Sequence, residues 1–506
     1  MTTTTSCSPQ WVSNSSNLPD DEPGSASSPP GFLFASRHIG ISGEMTTLSA
    51  RLAEWGLAFS LDDAPSSVIE NAKLRVLDIV GVMIASSAHP TVAAAERAYG
   101  DADGGGKGAH ALLSAAETSL AGAAFTNGVA SAVLEFDDTH IASNIHTTGV
   151  IVSAVLPMAQ AQGLSGRQFL EAVIVGSEIL CRLGLVSPVR MHEVGMHPTS
   201  VYGVFGATYA AARLRGLDRG QTVDAVGTAA SLSSGSIASF EDGTSTKTLH
   251  VGFAAAAAVR AIALAAQGVS GPAAVFEGKF GWFKSHIQSE PEFRFNELIQ
   301  DLGERWEVLN IATKLYPCAY TLMPFIAAAL ALRATHDIDT GAIAQIRCEI
   351  MPRSFRTVCE PLSEKRRPLT SWHGRISLQH TVAEALVLGR FDKSAYAQSS
   401  LIDPRINALA DKVIHIADPI AAQDTSRSRG VVTIEFSDGT TISHTVEDMQ
   451  GTARNSAPAS VYIEKFMANV AGVISQDRAE DLAAALTELD TVTDLAGTFA
   501  PLRVPT

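Results

Sequence analysis

The chain has 506 residues and a formal net charge of −15, so a single apolar core is too small to serve it and two domains are expected. The negative charge speaks against nucleic acid and anionic membrane as partners. The five scattered cysteines (Cys7, Cys181, Cys318, Cys348, Cys359) speak against a disulfide framework, a zinc site or an iron–sulfur cluster. Charges interrupt every long apolar run, as Arg260 does in 253–268, so the expectation is a soluble protein with no membrane span. Its expected location is cytoplasmic, with a mitochondrial one left open.

Residues 1–44 are rich in Ser, Thr, Pro and Asn and carry Asp20-Asp21-Glu22 with a single Arg37. They predict a disordered tail and lack the arginines of a mitochondrial presequence. From residue 45 to about 305 the pattern is helical. In 68–84 the apolar residues Val68, Ile69, Ala72, Val76, Ile79, Val80, Met83 and Ile84 follow a 3.6 period after Pro65, and 169–181, 199–215 and 252–267 repeat the picture. Between about 306 and 455 the texture changes. Alternation in 343–350 and 431–436 predicts half-buried strands, and Ser437-Asp438-Gly439-Thr440 predicts a hairpin into 441–446, with helical stretches such as 381–388 between. Residues 456–506 return to helical periodicity and are expected to complete the first domain. The fold class is therefore mainly α, a large helical domain with a smaller α/β lid.

One stretch concentrates chemistry. Glu135-Phe136-Asp137-Asp138-Thr139-His140, with His146 six residues on, lies between almost wholly small, apolar segments. Buried ionisable groups need partners, so this is either a satisfied helix-end network, with Asp137 or Asp138 capping a backbone, or a site of tuned acids and bases. Three further segments resemble it in character. His197 precedes Pro198 and Thr199 at a predicted helix start, where unpaired amides attract anions, although a histidine serving a cap is the plainer alternative. Lys247 and His250 stand ahead of a nearly all-apolar helix, and Lys314 and His380 stand at later helix entrances. Cations at successive helix entrances on an acidic chain suggest a pocket for a small polyanion, carboxylates fitting best. The Gly-rich run 101–108 lacks the spacing of a phosphate loop, and His192-Glu193 lacks a second histidine at metal-binding spacing, so no metal is expected.

Taken in order, Asn127-Gly128, Glu135-Phe-Asp-Asp-Thr139, His146, His197-Pro198, Lys247-Thr-Leu-His250 with Gly252 and Ala254, Lys314-Leu-Tyr-Pro317 and Ser377-Leu-Gln379 resemble the MmgE/PrpD family of 2-methylcitrate dehydratases and cis-aconitate decarboxylases. The likeness runs from about residue 48 to the C-terminus. It implies a cofactor-free, homodimeric lyase with a pocket at the domain junction formed by Glu135, Thr139, His146, His197, Lys247 and Lys314. The chain departs from the family at Glu135, aspartate in several relatives, at Met323, where relatives often carry histidine, and at His380, which replaces a tyrosine of some decarboxylases.

In this reading Lys247 and Lys314 stabilise the dianionic, enolate-like centre left when a proton is removed beside a carboxylate. His146 and His197 serve as base and acid, in an order the sequence leaves open. Glu135 or Asp138 orients a ring. Asp138, His140, His250, Met323 and His380 are the expected substrate contacts, Met323 favouring an alkyl-bearing substrate. The expected activity is dehydration of a citrate-type tricarboxylate such as 2-methylcitrate. The alternatives are decarboxylation of cis-aconitate, and a binding protein or epimerase that keeps the anion pocket.

Overall fold

The computed structural model describes residues 46–102, 107–288, 292–424 and 427–503; the predicted tail and the middle of the Gly-rich run lie outside them. From Thr46 onward the chain forms a single unit, mostly α-helical with one small mixed sheet.

The first half is built from helices α1 (Leu48–Ala58), α2 (Ser66–Ser86), α3 (Pro90–Ala102), α4 (Leu120–Ala132), α5 (Thr148–Ala161), α6 (Gly166–Val186), α7 (Pro198–Arg215), α8 (Arg219–Ala229) and α9 (Thr246–Ala266). Local chemistry sets their ends. Ser119 and Ser165 accept amide hydrogens at the starts of α4 and α6, Pro198 opens α7, and Gly216, at φ 71°, closes α7 in the left-handed region. Small side chains let these helices approach closely. A Cβ on Gly128 of α4 would lie 2.5 Å from the Cα of Gly252 in α9, so the two backbones touch at that crossing. The contact fixes the exit of α4 beside the start of α9. By length and composition α9 could cross a membrane, but 67% of its most apolar window is buried among its neighbours, as in a core helix.

Beyond α9 come α10 (Met323–Thr335), α11 (Leu378–Leu388), α12 (Ala459–Val470) and α13 (Gln476–Thr487). A two-residue ribbon pairs β1 (Thr139–His140) with β2 (Ile311–Ala312), antiparallel. The main sheet has the order β4–β3–β5–β6, with β3 (Ile343–Ile350), β4 (Val413–Ala417), β5 (Gly430–Phe436) and β6 (Thr441–Val446). The predicted strand 343–350 and the hairpin are present. The parallel strand β4 escaped prediction because, at the sheet edge, it buries fully only Val413 and shows no polar alternation.

Buried apolar side chains fall into two clusters. One draws on α1 through α9 and takes Tyr462, Phe466, Leu482 and Leu486 from α12 and α13; the other draws on α10, α11 and the sheet, with Phe325, Ile346, Leu386 and Ile434. The ribbon β1–β2 lies where the chain passes from the first cluster to the second.

Candidate active site

Four segments converge at that passage. The loop after α4 supplies Glu135, whose backbone is held at φ 51°, a left-handed conformation costly for a residue with a side chain. The loop then folds back on itself. His140 and Ile145 exchange backbone hydrogen bonds of 2.7 and 3.3 Å, which brings His146 beside Thr139 despite the six residues between them. The N-terminal end of α9 supplies Lys247 and His250, the N-cap position of α7 supplies His197, and the residues just after β2 supply Lys314.

Glu135 is the hub. Its carboxylate bonds the Lys247 ammonium and lies 3.4 Å from Lys314 Nζ, which also donates to the Glu135 carbonyl at 3.2 Å and lies 3.5 Å from Asp137. Burial opposes ionisation of Glu135, but Lys247, Lys314 and His146 outweigh it and hold its pKa well below the usual range. Burial also works against the Lys314 ammonium, yet Asp137 and Glu135 together raise its pKa. Asp137 goes the other way: burial first, and repulsion from Glu135, raise it.

His146 is pinned through one edge. Its Nδ1 lies 2.9 Å from the Asp138 carbonyl and 3.1 Å from Thr139 Oγ1, while its backbone amide donates to Thr199. A carbonyl only accepts, so Nδ1 carries the hydrogen and the neutral ring presents a bare Nε2. Burial, then Lys314 and Lys247, push its pKa down to about 3. Its ring centroid lies 6.1 Å from that of His197, and 15% of its side chain stays exposed. His197 makes no side-chain cap bond; its Nδ1 faces Nδ1 of His250 at 3.1 Å. Burial, then Lys247, lower the pKa of both rings, that of His250 to about 4.

Four residues expected to touch substrate are engaged elsewhere. Asp138 caps α5, one oxygen accepting the amides of Thr147 and Thr148 at 3.2 and 3.1 Å and the other the Thr148 hydroxyl, as the helix-end alternative foresaw for this residue. His140 is fully buried between Ser143 and Glu307, at 2.7 and 3.3 Å. Met323 lies in the second core, its sulfur accepting from the Leu315 amide at 3.3 Å. His380 is buried 3.3 Å from Glu384, one turn along α11, and stacked on Tyr396. Adjacent loop residues point to opposite sides, and spacing alone could not tell them apart.

Other residues around the site were not foreseen. Lys465 of α12 donates to the Phe136 carbonyl at 3.0 Å, pairs with Asp78 of α2 at 2.6 Å and lies over the Phe136 ring. Arg375 donates from Nη1 to the carbonyls of Leu134 and Pro317, both at 2.7 Å, tying the Glu135 loop to the segment after Lys314. Arg75 bonds the Ile311 carbonyl and Thr313, steadying the approach to Lys314. Asp78, the one charge in the apolar second half of α2, and Lys465 on the buried stripe of Tyr462, Phe466 and Asn469, were the signals available.

Glu135, Asp137 and His146 bring donor atoms within 4.8 Å of one another, a set a divalent ion could use by type. Two ammonium groups already neutralise it, and a further cation there meets their repulsion. Two cationic amines, two neutral imidazoles and a hydroxyl meet here, all but His146 buried, and they are groups of the kind a carboxylate pairs with.

Comparison with known proteins gives the same direction. The family models for the MmgE/PrpD N-terminal and C-terminal domains match residues 50–294 and 316–491. A cis-aconitate decarboxylase of Aspergillus terreus is 26% identical over 358 residues, 68% of this chain and 72% of that protein. The human cis-aconitate decarboxylase is 25% identical over 367 residues, 70% and 74% of the two chains. A 2-methylcitrate dehydratase of Salmonella typhimurium is 27% identical over 323 residues, 61% and 64%.

Proposed function

Because the chain belongs to the MmgE/PrpD family, we propose that it is a lyase acting on a small tricarboxylate, and first that it dehydrates a citrate-type substrate such as 2-methylcitrate. The observation that carries this reading is the convergence of Lys247 and Lys314 on one carboxylate beside two neutral histidines. A carboxylate already occupies the place between the ammonium groups, so a substrate carboxylate has a ready-made partner set there.

The chemistry follows from the tautomers. His146, with its hydrogen held on Nδ1 by the Asp138 carbonyl, is the proton acceptor through Nε2. At rest the two lysines help keep it a weak base. Once substrate carboxylates add negative charge to that of Glu135 and Asp137, and more grows on the carbon losing its proton, its basicity rises from that low resting value. The lysines stabilise the enolate-like oxygens, each well-placed donor contributing about 2.7–4 kcal/mol. His197 is then the donor to the departing hydroxide, and Thr139 steadies the His146 ring.

Decarboxylation of cis-aconitate is the second reading, favoured by the decarboxylase relatives, whose alignments cover more of the chain. Here the same lysines hold the carboxylates while a histidine protonates the carbon left by carbon dioxide. Incubating purified protein with 2-methylcitrate, citrate and cis-aconitate, followed by proton NMR and carbon dioxide detection, separates the two. An alkene from the hydroxy acids supports dehydration, and itaconate with carbon dioxide supports the second reading. Turnover of none leaves the binding protein or epimerase.

A further inference from the structure

His250 was expected to touch substrate, and its geometry gives it a different part. We propose that His250 is a positioning residue whose Nδ1 accepts the Nδ1 hydrogen of His197, so that His197 can hold a second proton at Nε2 when a polyanion fills the site.

Two imidazoles that meet nitrogen to nitrogen are bonded only if one of the two atoms carries a hydrogen and the other does not. The 3.1 Å approach therefore makes the pair share a single proton. The arrangement is built from three sides. His250 lies one turn after Lys247 on α9; His197 is held by its amide, which donates to the Gly235 carbonyl at 2.7 Å; and Ser200 bridges them, its amide donating to the His197 carbonyl at 3.0 Å and its hydroxyl lying 3.3 Å from the His250 carbonyl. Both rings are buried, with 4% and 3% of their surface exposed. Neither therefore gains much from water, and each depends on the other.

With the shared hydrogen on His197, the neutral ring has Nδ1–H and a bare Nε2. Protonation at Nε2 gives an imidazolium whose Nδ1–H still has an acceptor, and a hydrogen bond to the charged form favours that form. The groups facing His197 are Lys247 and His250 from α9 and His146 and Glu135 from the loop, and Lys247 also faces His250. At rest the lysine field opposes the extra charge. A bound tricarboxylate brings more negative charge than Glu135 alone supplies, which works against both burial and the lysine field, and one proton from water completes the balance.

This inference rests on the tricarboxylate reading of the site, and its test separates the two. In the free protein, nitrogen-15 NMR of labelled histidine should show His197 hydrogenated at Nδ1; finding the hydrogen on Nε2 overturns the proposal whether or not any ligand binds. Calorimetry with citrate in buffers of different ionisation heat should show uptake of about one proton. His250→Phe should abolish that uptake, shift the acid limb of the pH profile and lower kcat on the order of 10- to 100-fold with little change in KM. His250→Asn, which keeps an acceptor at the Nδ1 position, should restore most of it, and circular dichroism checks folding of both. A raised KM with unchanged kcat and proton uptake in His250→Phe would return His250 to a substrate contact. If citrate does not bind the wild type, the functional reading fails and the NMR result alone judges the histidine pair.

Discussion

Glu135 does three things that pull against one another: it adopts a left-handed backbone, buries a charge, and pairs with two lysines at once. Removing one partner of a buried ion pair typically costs about 3–5 kcal/mol, because the charge left behind has lost its counter-charge. Glu135→Gln should therefore lower the melting temperature clearly in a thermal scan. If its carboxylate stands where a substrate carboxylate belongs, added citrate should raise the melting temperature of the variant more than that of the wild type. An equal shift in both proteins would show that the ligand does not use the two lysines.

At the scale of elements, the α4–α9 crossing decides whether Glu135 and Lys247 meet. Gly128→Ala puts a Cβ against the Gly252 backbone, which cannot yield as a flexible side chain would, so the helices must separate at a cost of about 1–3 kcal/mol. Gly100→Ala in α3, where nothing lies within 4 Å of the added carbon, should instead gain about 0.5–1 kcal/mol. Urea unfolding of the two variants measures both signs. The helices themselves were readable in the sequence, since Val76, Ile79, Val80 and Met83 repeat at helical spacing and Pro198 marks a first turn. The lysines were readable too, as lone charges at the mouths of apolar helices. Long-range pairing was not: nothing near His140 announces Glu307, and nothing near Asp138 distinguishes a cap from a ligand contact. Arg375 and Lys465 reach backbone carbonyls far away in the chain, so no local pattern reveals them.

For the molecule as a whole, the buried histidines link stability to acid. His146, with a pKa of about 3, and His250, at about 4, stay neutral in the fold, whereas in the unfolded chain they take up protons near 6.5. The unfolded state then binds more protons, so stability is complete above about pH 6.5 and falls as pH drops from 6.5 toward 4 and 3. The loss is about 1.4 kcal/mol per histidine for each pH unit in that window. Unfolding midpoints measured from pH 7.5 to 4.5 should decline accordingly, and His250→Asn should flatten the slope. The Glu135 clasp also affects how a ligand arrives. With both amines paired at rest on a chain of net charge −15, no open cationic funnel reaches out to draw a distant polyanion inward. Capture becomes an exchange of one acid group for another at close range, against the repulsion of an acidic chain, so the encounter rate should be modest and should rise as salt screens that repulsion.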